Sequence, residues 1–324
     1  MPLGRFSINK RCEYKKGKIL LNFCIEIWQK TVYNIITNMY GWWNMLKTGI
    51  ESTGYFGAFD YEEGFKLCKA HGYDCVDYQN IMTDNDAFLN FSDEEYSDYL
   101  KKVKNCADSS GIEIFQAHGG TPLVDGKPCK EIDGKFLRQL YTCKELGCKY
   151  LILHPYVDYI DHFDTHAVGM KQNADMLELI LPHAERLGVT ICLENLPFRY
   201  VDMSRVVEVK KLIKQIGSKN LAACLDTGHC NVIKENIYDS IITFGDDLKA
   251  LHVHDNFGFS GDRHYPPFKG TIDWDGFVKG LNDIGYKGCI SLETFIDKRT
   301  PQPMKEKMQL GLSGIAKYFA KQIK

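Results

Sequence analysis

Six short apolar segments of the chain each end in a histidine or a carboxylate. Successive members of this set are separated by 26 to 41 residues, close to the length of one strand, one helix and their connections. In a closed barrel of parallel strands the carboxyl ends open on one face, so side chains at those positions converge there. The six residues are His118, His154, Glu194, Asp226, His252 and Glu293.

Four of these side chains have the composition of a metal site. The carboxylates of Glu194, Asp226 and Glu293 would repel one another if they met at the end of an apolar barrel. A divalent cation removes that penalty, and three carboxylates with the imidazole of His252 suit Mn²⁺, Mg²⁺, Co²⁺ or Zn²⁺. A local ion pair with Lys or Arg readily explains why one such residue lies at the end of an apolar strand. It does not explain four such residues at the ends of successive strands. The pattern therefore predicts one divalent metal ion.

Further histidines lie close to these positions in the sequence. His229 follows Asp226 by three residues, and His254 shares a strand face with His252 by the period-two rule. Another histidine lies in the polar segment DRHYPP. Each could be an ordinary loop residue with a satisfied hydrogen bond. We instead expect six side chains to contact a substrate: His118, His154, His229, His254, Arg263 and His264.

A repeated strand–helix pattern must position these residues. Apolar runs such as LILH and CLDT lack alternation, which is typical of strands buried on both faces of a parallel sheet. Amphipathic stretches follow them, and one of these predicts a helix over 203–216. Eight such units in about 280 residues favour a (β/α)8 barrel. An open doubly wound sheet is the alternative, but the first run leads into ESTGYFGAFD, which lacks the G-x-G-x-x-G turn. The predicted strands are 47–52, 75–79, 113–117, 150–154, 190–194, 222–226, 250–254 and 289–293.

The first 44 of the 324 residues differ from the rest. Residues 1–44 carry a net charge of +5, and residues 45–324 carry −7. We predict a basic and apolar N-terminal extension ahead of a catalytic barrel domain at 45–324; it packs on the domain as a helix or forms a separate appendage. Its apolar stretch Ile19–Trp28 is too short to span a bilayer, so no membrane partner is expected. Trp42 and Trp43 could join a contact surface in a homo-oligomer.

The composition bears on partners and compartment. A protein that binds duplex nucleic acid usually carries a basic excess, and the net charge here is −2. None of the twelve cysteines has C-x-x-C spacing, and several lie in apolar runs. We therefore expect free thiols in a reducing cytoplasm and no nucleic-acid partner.

Several segments together resemble the xylose isomerase-like barrel superfamily, which contains sugar-phosphate isomerases and epimerases and the apurinic endonucleases. The resemblance covers roughly residues 47–320. The order of its motifs is specific for the superfamily and less specific for a reaction. The matching segments are ILHPY at 152–156, CLENLP at 192–197, CLDTGH at 224–229, LHVHDN at 251–256, DRHYPPFKGTIDW at 262–274 and SLETF at 291–295.

The ketose epimerase branch implies a specific metal site. The resemblance assigns its ligands to Glu194, Asp226, His252 and Glu293, with His254 as the alternative on the seventh strand. We prefer His252 because similar proteins have an acidic residue three positions after the ligand, as Asp255 is here. The resemblance also implies that His229 contacts substrate hydroxyls. Arg263 is the nearest match to an arginine found after the seventh strand in similar proteins.

The endonuclease branch uses three zinc ions, and its ligand pattern also fits this chain. Against it stands the acidic balance of residues 45–324, and the loops after the fifth and seventh strands offer one Arg each. GTIDW is also more similar to the sugar branch. The nine residues of the pattern are His118, His154, Glu194, Asp226, His229, His252, Asp262, His264 and Glu293.

The sequence-based hypothesis is a proton shift on a keto sugar or sugar phosphate. The metal ion would polarise the carbonyl and stabilise an enediolate. Glu194 and Glu293, on the fifth and eighth strands, would remove and return the carbon-bound proton. Dehydration of a sugar through the same enediolate is a related possibility, and an apurinic endonuclease is the alternative function.

Overall fold

The computed structural model describes most of the chain beyond residue 44. The described ranges are 45–56, 60–79, 81, 90–121, 123–124, 127–128, 134–157, 165–199, 201–259, 261–297 and 299–324. The extension predicted for residues 1–44, including Trp42 and Trp43, lies outside them. Among the described helices, none combines the length and apolar character needed to cross a bilayer.

Eight parallel strands and eight outer helices alternate along the chain. The strands are β1 Lys47–Glu51, β2 Cys75–Tyr78, β3 Glu113–His118, β4 Tyr150–Leu153, β5 Thr190–Glu194, β6 Leu221–Asp226, β7 Leu248–His252 and β8 Cys289–Leu292. The helices are α1 Tyr61–His71, α2 Asp93–Ser110, α3 Gly134–Leu146, α4 Thr165–Leu187, α5 Val206–Ile216, α6 Ile237–Phe244, α7 Trp274–Asp283 and α8 Gln302–Gln322.

Shorter elements lie in the connections. Helical turns cover Thr53–Phe56 and Thr227–Ile233, and a 3-10 turn covers Gly245–Asp247. Leu123–Val124 and Lys127–Pro128 form a two-stranded antiparallel hairpin after β3.

The strands form one sheet in the order β8-β1-β2-β3-β4-β5-β6-β7. The two outer strands of this order meet through Val253. Its N–H donates to the carbonyl of Ser291 at 2.9 Å, and its carbonyl accepts from the N–H of Glu293 at 3.1 Å. The predicted (β/α)8 barrel is confirmed, and the carboxyl ends of all eight strands open at one mouth.

The main core lies between the strands and the ring of helices. Every outer helix contributes a fully buried apolar side chain to this layer, which explains why each helix is amphipathic. Inside the barrel a smaller cluster contains Cys192 and Cys224 beside alanines and Ile152. The helix residues are Phe65, Leu100, Leu140, Leu177, Leu212, Ile241, Phe277 and Phe319.

The helix predicted over 203–216 begins three residues later, at Val206. Met203 has a φ of 66°, in the left-handed region that an α-helix excludes. Its side chain is nonetheless fully buried. Met203 is therefore a buried apolar residue of the loop before the helix. In the sequence it fits the apolar pattern of the helix, which is why the predicted helix began too early.

Candidate metal centre and active site

Two glutamates from opposite sides of the barrel meet one imidazole at the mouth. Glu194 ends β5, Glu293 follows β8, and His252 ends β7 between them. The Nδ1 atom of His252 lies 3.1 Å from Oε1 of Glu194 and 3.2 Å from Oε2 of Glu293. All three side chains are buried, with 1%, 5% and 0% exposure for Glu194, Glu293 and His252.

Three of the atoms in this cluster that could bind a metal are left without a hydrogen bond within the described part of the chain. Both carboxylate oxygens of Glu194 and Nδ1 of His252 are buried and have no hydrogen-bond partner among the described residues. Buried polar atoms are normally satisfied, so a set that converges on one point without hydrogen bonds fits a bound ion. A divalent cation is the ligand that carboxylate oxygens and an imidazole nitrogen share. The residues present therefore fit a metal ion.

A second cluster lies beside the first, around Asp226. One carboxylate oxygen of Asp226 accepts from the backbone N–H of His229 at 2.6 Å and caps the helical turn Thr227–Ile233. The other lies 3.0 Å from Nε2 of His254. The two predicted candidates on the seventh strand are thus separated: His252 faces Glu194 and Glu293, whereas His254 faces Asp226.

Asp262 joins this second cluster from the loop after β7. Its carboxylate lies 3.2 Å from Nε2 of His229, 2.9 Å from Nε2 of His264 and 3.5 Å from Nε2 of His254. The rings of His254 and His264 stack at 4.0 Å between centroids. His264 has a φ of 46°, in the left-handed region that residues other than glycine adopt uncommonly. Such residues cluster at functional sites.

The remaining predicted contacts differ in their distance from the first cluster. Nε2 of His154 lies 3.4 Å from Oε2 of Glu194, and Nε2 of His118 lies 3.8 Å from the same oxygen. Both imidazoles therefore line the mouth beside Glu194, and the side chain of His154 is 44% exposed. Arg263 is exposed on the loop whose neighbours Asp262 and His264 enter the second cluster. Its contact with a substrate stays a prediction.

Charges in the first cluster shift one another's pKa values. Burial opposes ionisation of Glu194, but His252 and His154 outweigh it and hold the pKa of the carboxyl well below its usual range. Burial raises the pKa of Glu293, and the negative charge of Glu194 adds to this effect. Burial opposes protonation of His252, but Glu194 and Glu293 outweigh it and raise the pKa of the imidazole well above its usual range. A cation that binds here must therefore displace a proton from His252.

The other imidazoles differ sharply in their charge. Burial lowers the pKa of His118 to about 3, so that ring is neutral at pH 7. Burial also opposes protonation of His229, but Asp226 and Asp262 raise its pKa to about 10. The pKa of His264 rises to about 9 despite burial, because its ring contacts Asp262. Neutral and positively charged donors thus face the same mouth.

A buried carboxylate fixes the loop that carries Asp262 and His264. One oxygen of Asp255 accepts from the backbone N–H of Gly270 at 2.9 Å and from Nε1 of Trp274 at 3.1 Å. Its other oxygen accepts from the backbone N–H of Ile272 in the same segment and from that of the adjacent Asn256. The motif LHVHDN thus supplies the acceptor, the carboxylate of Asp255, and the motif GTIDW supplies N–H donors to it. These hydrogen bonds explain why the two motifs occur in one chain.

Gly228 lies against the ring of His254, so the backbone there has no room for a side chain. A Cβ at position 228 would lie 1.9 Å from Cε1 of His254. We expect Gly228→Ala to displace that ring from Asp226 and to reduce the free energy of unfolding by about 1–3 kcal/mol or more, as overpacking does. Thermal unfolding measures the loss, and titration with Mn²⁺ measures the effect on the site.

Gly314→Ala provides the matched control for this substitution. Gly314 lies in α8, and among the described residues a Cβ added there would meet no atom within 4 Å. Alanine favours a helix interior over glycine by about 1 kcal/mol, so this variant should be as stable as the parent or more so. Equal stability of Gly228→Ala and the parent would contradict the steric argument.

Three polar residues of the site were not among the sequence-based candidates. Asp77 lies inside β2, and its Oδ2 accepts from Nε2 of His252 at 2.8 Å. Gln116, on β3, donates to the same oxygen at 2.9 Å. Gln79 follows β2 and donates to Oε1 of Glu293 at 2.7 Å. Their common signal is a polar residue in or directly after a buried strand, the same pattern that marks the ends of the later strands.

Comparison with known proteins decides the family. The family described as xylose isomerase-like TIM barrel matches residues 65–313. The chain belongs to this family. Its matched region includes every candidate site residue, from His118 to Glu293.

Relatives in the family are named as sugar enzymes. An inosose isomerase of Bacillus velezensis is 24% identical over 281 residues, which cover 81% of this chain and 94% of the relative. A D-psicose 3-epimerase of Agrobacterium fabrum is 30% identical over 213 residues, which cover 62% of this chain and 71% of the relative.

Solved structures of other proteins share the fold. D-psicose 3-epimerase of Clostridium cellulolyticum H10, solved with D-tagatose, aligns with a TM-score of 0.68 at 21% identity, covering 85% of this chain and 99% of that structure. The IolI protein, solved with a zinc atom, aligns with a TM-score of 0.66 at 20% identity, covering 85% of this chain and 96% of that structure.

Proposed function

We propose that the protein is a divalent-metal-dependent isomerase or epimerase of a keto sugar or sugar phosphate. One observation carries the proposal: Glu194 and Glu293 face each other across Nδ1 of His252, at 3.1 and 3.2 Å, in a buried cluster. Two carboxylates on opposite sides of one point can serve two faces of a bound sugar. The relatives named as inosose isomerase and psicose 3-epimerase support the same reaction class.

The metal would be held by Glu194, His252 and Glu293. Asp226, the fourth ligand predicted from the sequence, lies in the second cluster, where its two carboxylate oxygens contact His229 and His254. Mn²⁺, Mg²⁺, Co²⁺ and Zn²⁺ all suit such donors, and a relative's structure contains zinc. When bound, the cation supplies a Lewis acid that polarises a carbonyl.

The protein's own carboxylates move the proton. One of Glu194 and Glu293 removes the proton from the carbon next to the carbonyl, and the electron pair of that C–H bond shifts toward the carbonyl oxygen. The other, which carries a proton at the start of the turnover, delivers it to the opposite face of the same carbon, and this inverts the carbon. Delivery to the former carbonyl carbon, together with transfer of the proton of the neighbouring hydroxyl to the former carbonyl oxygen, gives an isomerase instead. In both reactions one carboxyl group gains the proton that the other loses.

The histidines of the mouth bind and orient the substrate in this proposal. His118 and His154 lie beside Glu194, whereas His229, His254 and His264 surround Asp262. A neutral imidazole can accept a hydrogen bond from a hydroxyl of the sugar. A protonated imidazole can donate hydrogen bonds to its hydroxyl and carbonyl oxygens. Arg263 lies at the exposed rim, where it could reach the distal end of a longer sugar.

Proton exchange with heavy water tests the reaction. A panel of ketoses and ketose phosphates is incubated with the Mn²⁺-loaded protein in D₂O, and carbon-bound deuterium is detected by NMR. We expect one or a few members to incorporate deuterium next to the carbonyl, and a chelator to abolish this incorporation. Absence of exchange across the panel, with the metal shown to be bound, would contradict the proposal.

A second candidate function is a zinc-dependent endonuclease for abasic DNA. Its supporting observation is that several sets of potential ligands have their atoms within 4.8 Å of one another, including His118 with His154 and Glu194, and His254 with Asp262 and His264. Three zinc ions per chain with cleavage of an abasic duplex would favour the nuclease. We expect about one divalent ion per chain and intact DNA, measured by elemental analysis and gel assay.

We also propose a reducing cytoplasm as the compartment, because the described cysteines are free thiols and most are buried. Assembly into a homo-oligomer stays a prediction that sedimentation of the full chain would test.

A further inference from the structure

We propose that Asp77 is a positioning residue that holds the Nε2–H of His252 and thereby aims Nδ1 at the point between Glu194 and Glu293. The inference rests on the metal site of the proposed function. Asp77 lies on β2, and His252 lies 175 residues later on β7. Their hydrogen bond of 2.8 Å crosses the interior of the barrel, where both side chains are almost completely buried.

The bond selects which ring nitrogen faces the cluster. An imidazole that binds a metal through one nitrogen carries its proton on the other. The Nε2–H group of His252 donates its hydrogen bond to the carboxylate of Asp77. The lone pair available for a cation is therefore on Nδ1. A carboxylate behind a metal-binding histidine also raises the basicity of the ring and fixes its orientation.

Gln116 fixes the carboxylate of Asp77 in turn. Its Nε2 donates to Oδ2 of Asp77 at 2.9 Å and to the carbonyl of Leu251 at 3.1 Å. Leu251 directly precedes His252, so Gln116 ties the carboxylate to the backbone of the same strand that carries the imidazole. The side chain of Gln116 is fully buried, which leaves little room for water to replace this bond.

The strand register explains how Asp77 reaches this place. The pairing of β2 with β3 shifts between Val76 and Asp77, after which Asp77 lies opposite Gln116. Such irregularities re-aim side chains and are frequent near active sites. A buried carboxylate is costly in an apolar interior unless hydrogen bonds and a nearby charge offset it. Positioning a metal-binding histidine is a function that accounts for this cost.

The test compares metal affinity in Asp77→Asn and Asp77→Ala. Competition with a chromophoric chelator gives the dissociation constants for Zn²⁺ and Co²⁺, and the visible spectrum of bound Co²⁺ reports its ligand geometry. Loss of an outer carboxylate typically weakens metal binding by about 10–100-fold. We expect about tenfold weaker binding for Asp77→Asn, about 100-fold for Asp77→Ala, and an altered Co²⁺ spectrum in both.

Asp74→Asn is the matched control. Asp74 directly precedes β2 and accepts from the backbone and hydroxyl of Thr48, at 2.9 and 2.8 Å. Its loss should lower stability without changing the Co²⁺ spectrum. If both Asp77 variants fold and bind metal as the parent does, with an unchanged spectrum, the positioning role is wrong. If the parent binds no divalent ion, the proposed metal site itself fails, and the two failures are distinguishable.

Discussion

Glu293→Gln should abolish turnover while the barrel remains folded. Glutamine matches the shape of glutamate but cannot accept a proton from carbon, and a positioned acid or base contributes about 10²–10⁴-fold to the rate. Gln79 donates to Oε1 of Glu293, so the amide oxygen of the variant would take that place. Its NH₂ group would then face Nδ1 of His252, where it opposes a cation. We therefore expect a loss of at least about 10³-fold in deuterium exchange.

Glu194→Gln should have a comparable effect, because Glu194 is the other half of the proposed acid–base pair. Glu113→Gln is the matched control, since Glu113 begins β3 at the opposite end of the barrel and pairs with Lys47. Circular dichroism and thermal unfolding establish that each variant is folded. Full exchange activity of Glu293→Gln on the responsive sugar would show that this carboxylate does not transfer the proton.

Asp255→Asn should be the most destabilising conservative change near the site. The Asp255 carboxylate accepts hydrogen bonds from N–H donors of four residues: Asn256, Gly270, Ile272 and Trp274. An amide in its place turns one acceptor into a donor that faces other donors. Unsatisfied buried groups cost roughly 1–3 kcal/mol each, so we expect a loss of about 2–5 kcal/mol. For a domain of about 280 residues the Tm falls by about 3–9 °C.

Asp275→Asn separates this effect from a general loss of charge. Asp275 is exposed in the first turn of α7 and lies next to Trp274 in the sequence, so its replacement should change the Tm by about 1 °C or less. Differential scanning calorimetry measures both variants. A Tm for Asp255→Asn within the range of Asp275→Asn would mean that the loop does not depend on this carboxylate.

The barrel was predictable from the sequence because its strands are buried on both faces. Runs such as 190–194 and 289–293 are apolar and then end abruptly in glutamate, which marks both the strand and its carboxyl end. Their convergence follows from the closed topology rather than from any local signal. The choice between His252 and His254 was not fixed in this way, because alternation places both side chains on one strand face.

Asp77 and Gln116 show what the sequence could not supply. Each is a single polar residue within a short strand, a pattern equally compatible with an exposed edge or a loop contact. The partner of Asp77 lies on the far side of the barrel, and a shift in strand register decides that the two meet. Such a pairing depends on how the strands close into a barrel, and hydrophobic periodicity along the sequence does not predict it.

The seam that closes the barrel lies at the proposed metal centre. Val253, whose backbone joins β7 to β8, directly follows His252, and the N–H that it accepts belongs to Glu293. The two strand ends that complete the cylinder are thus the ones whose side chains meet at the cluster. A cation bound to both His252 and Glu293 would therefore also hold together the two strands that close the barrel.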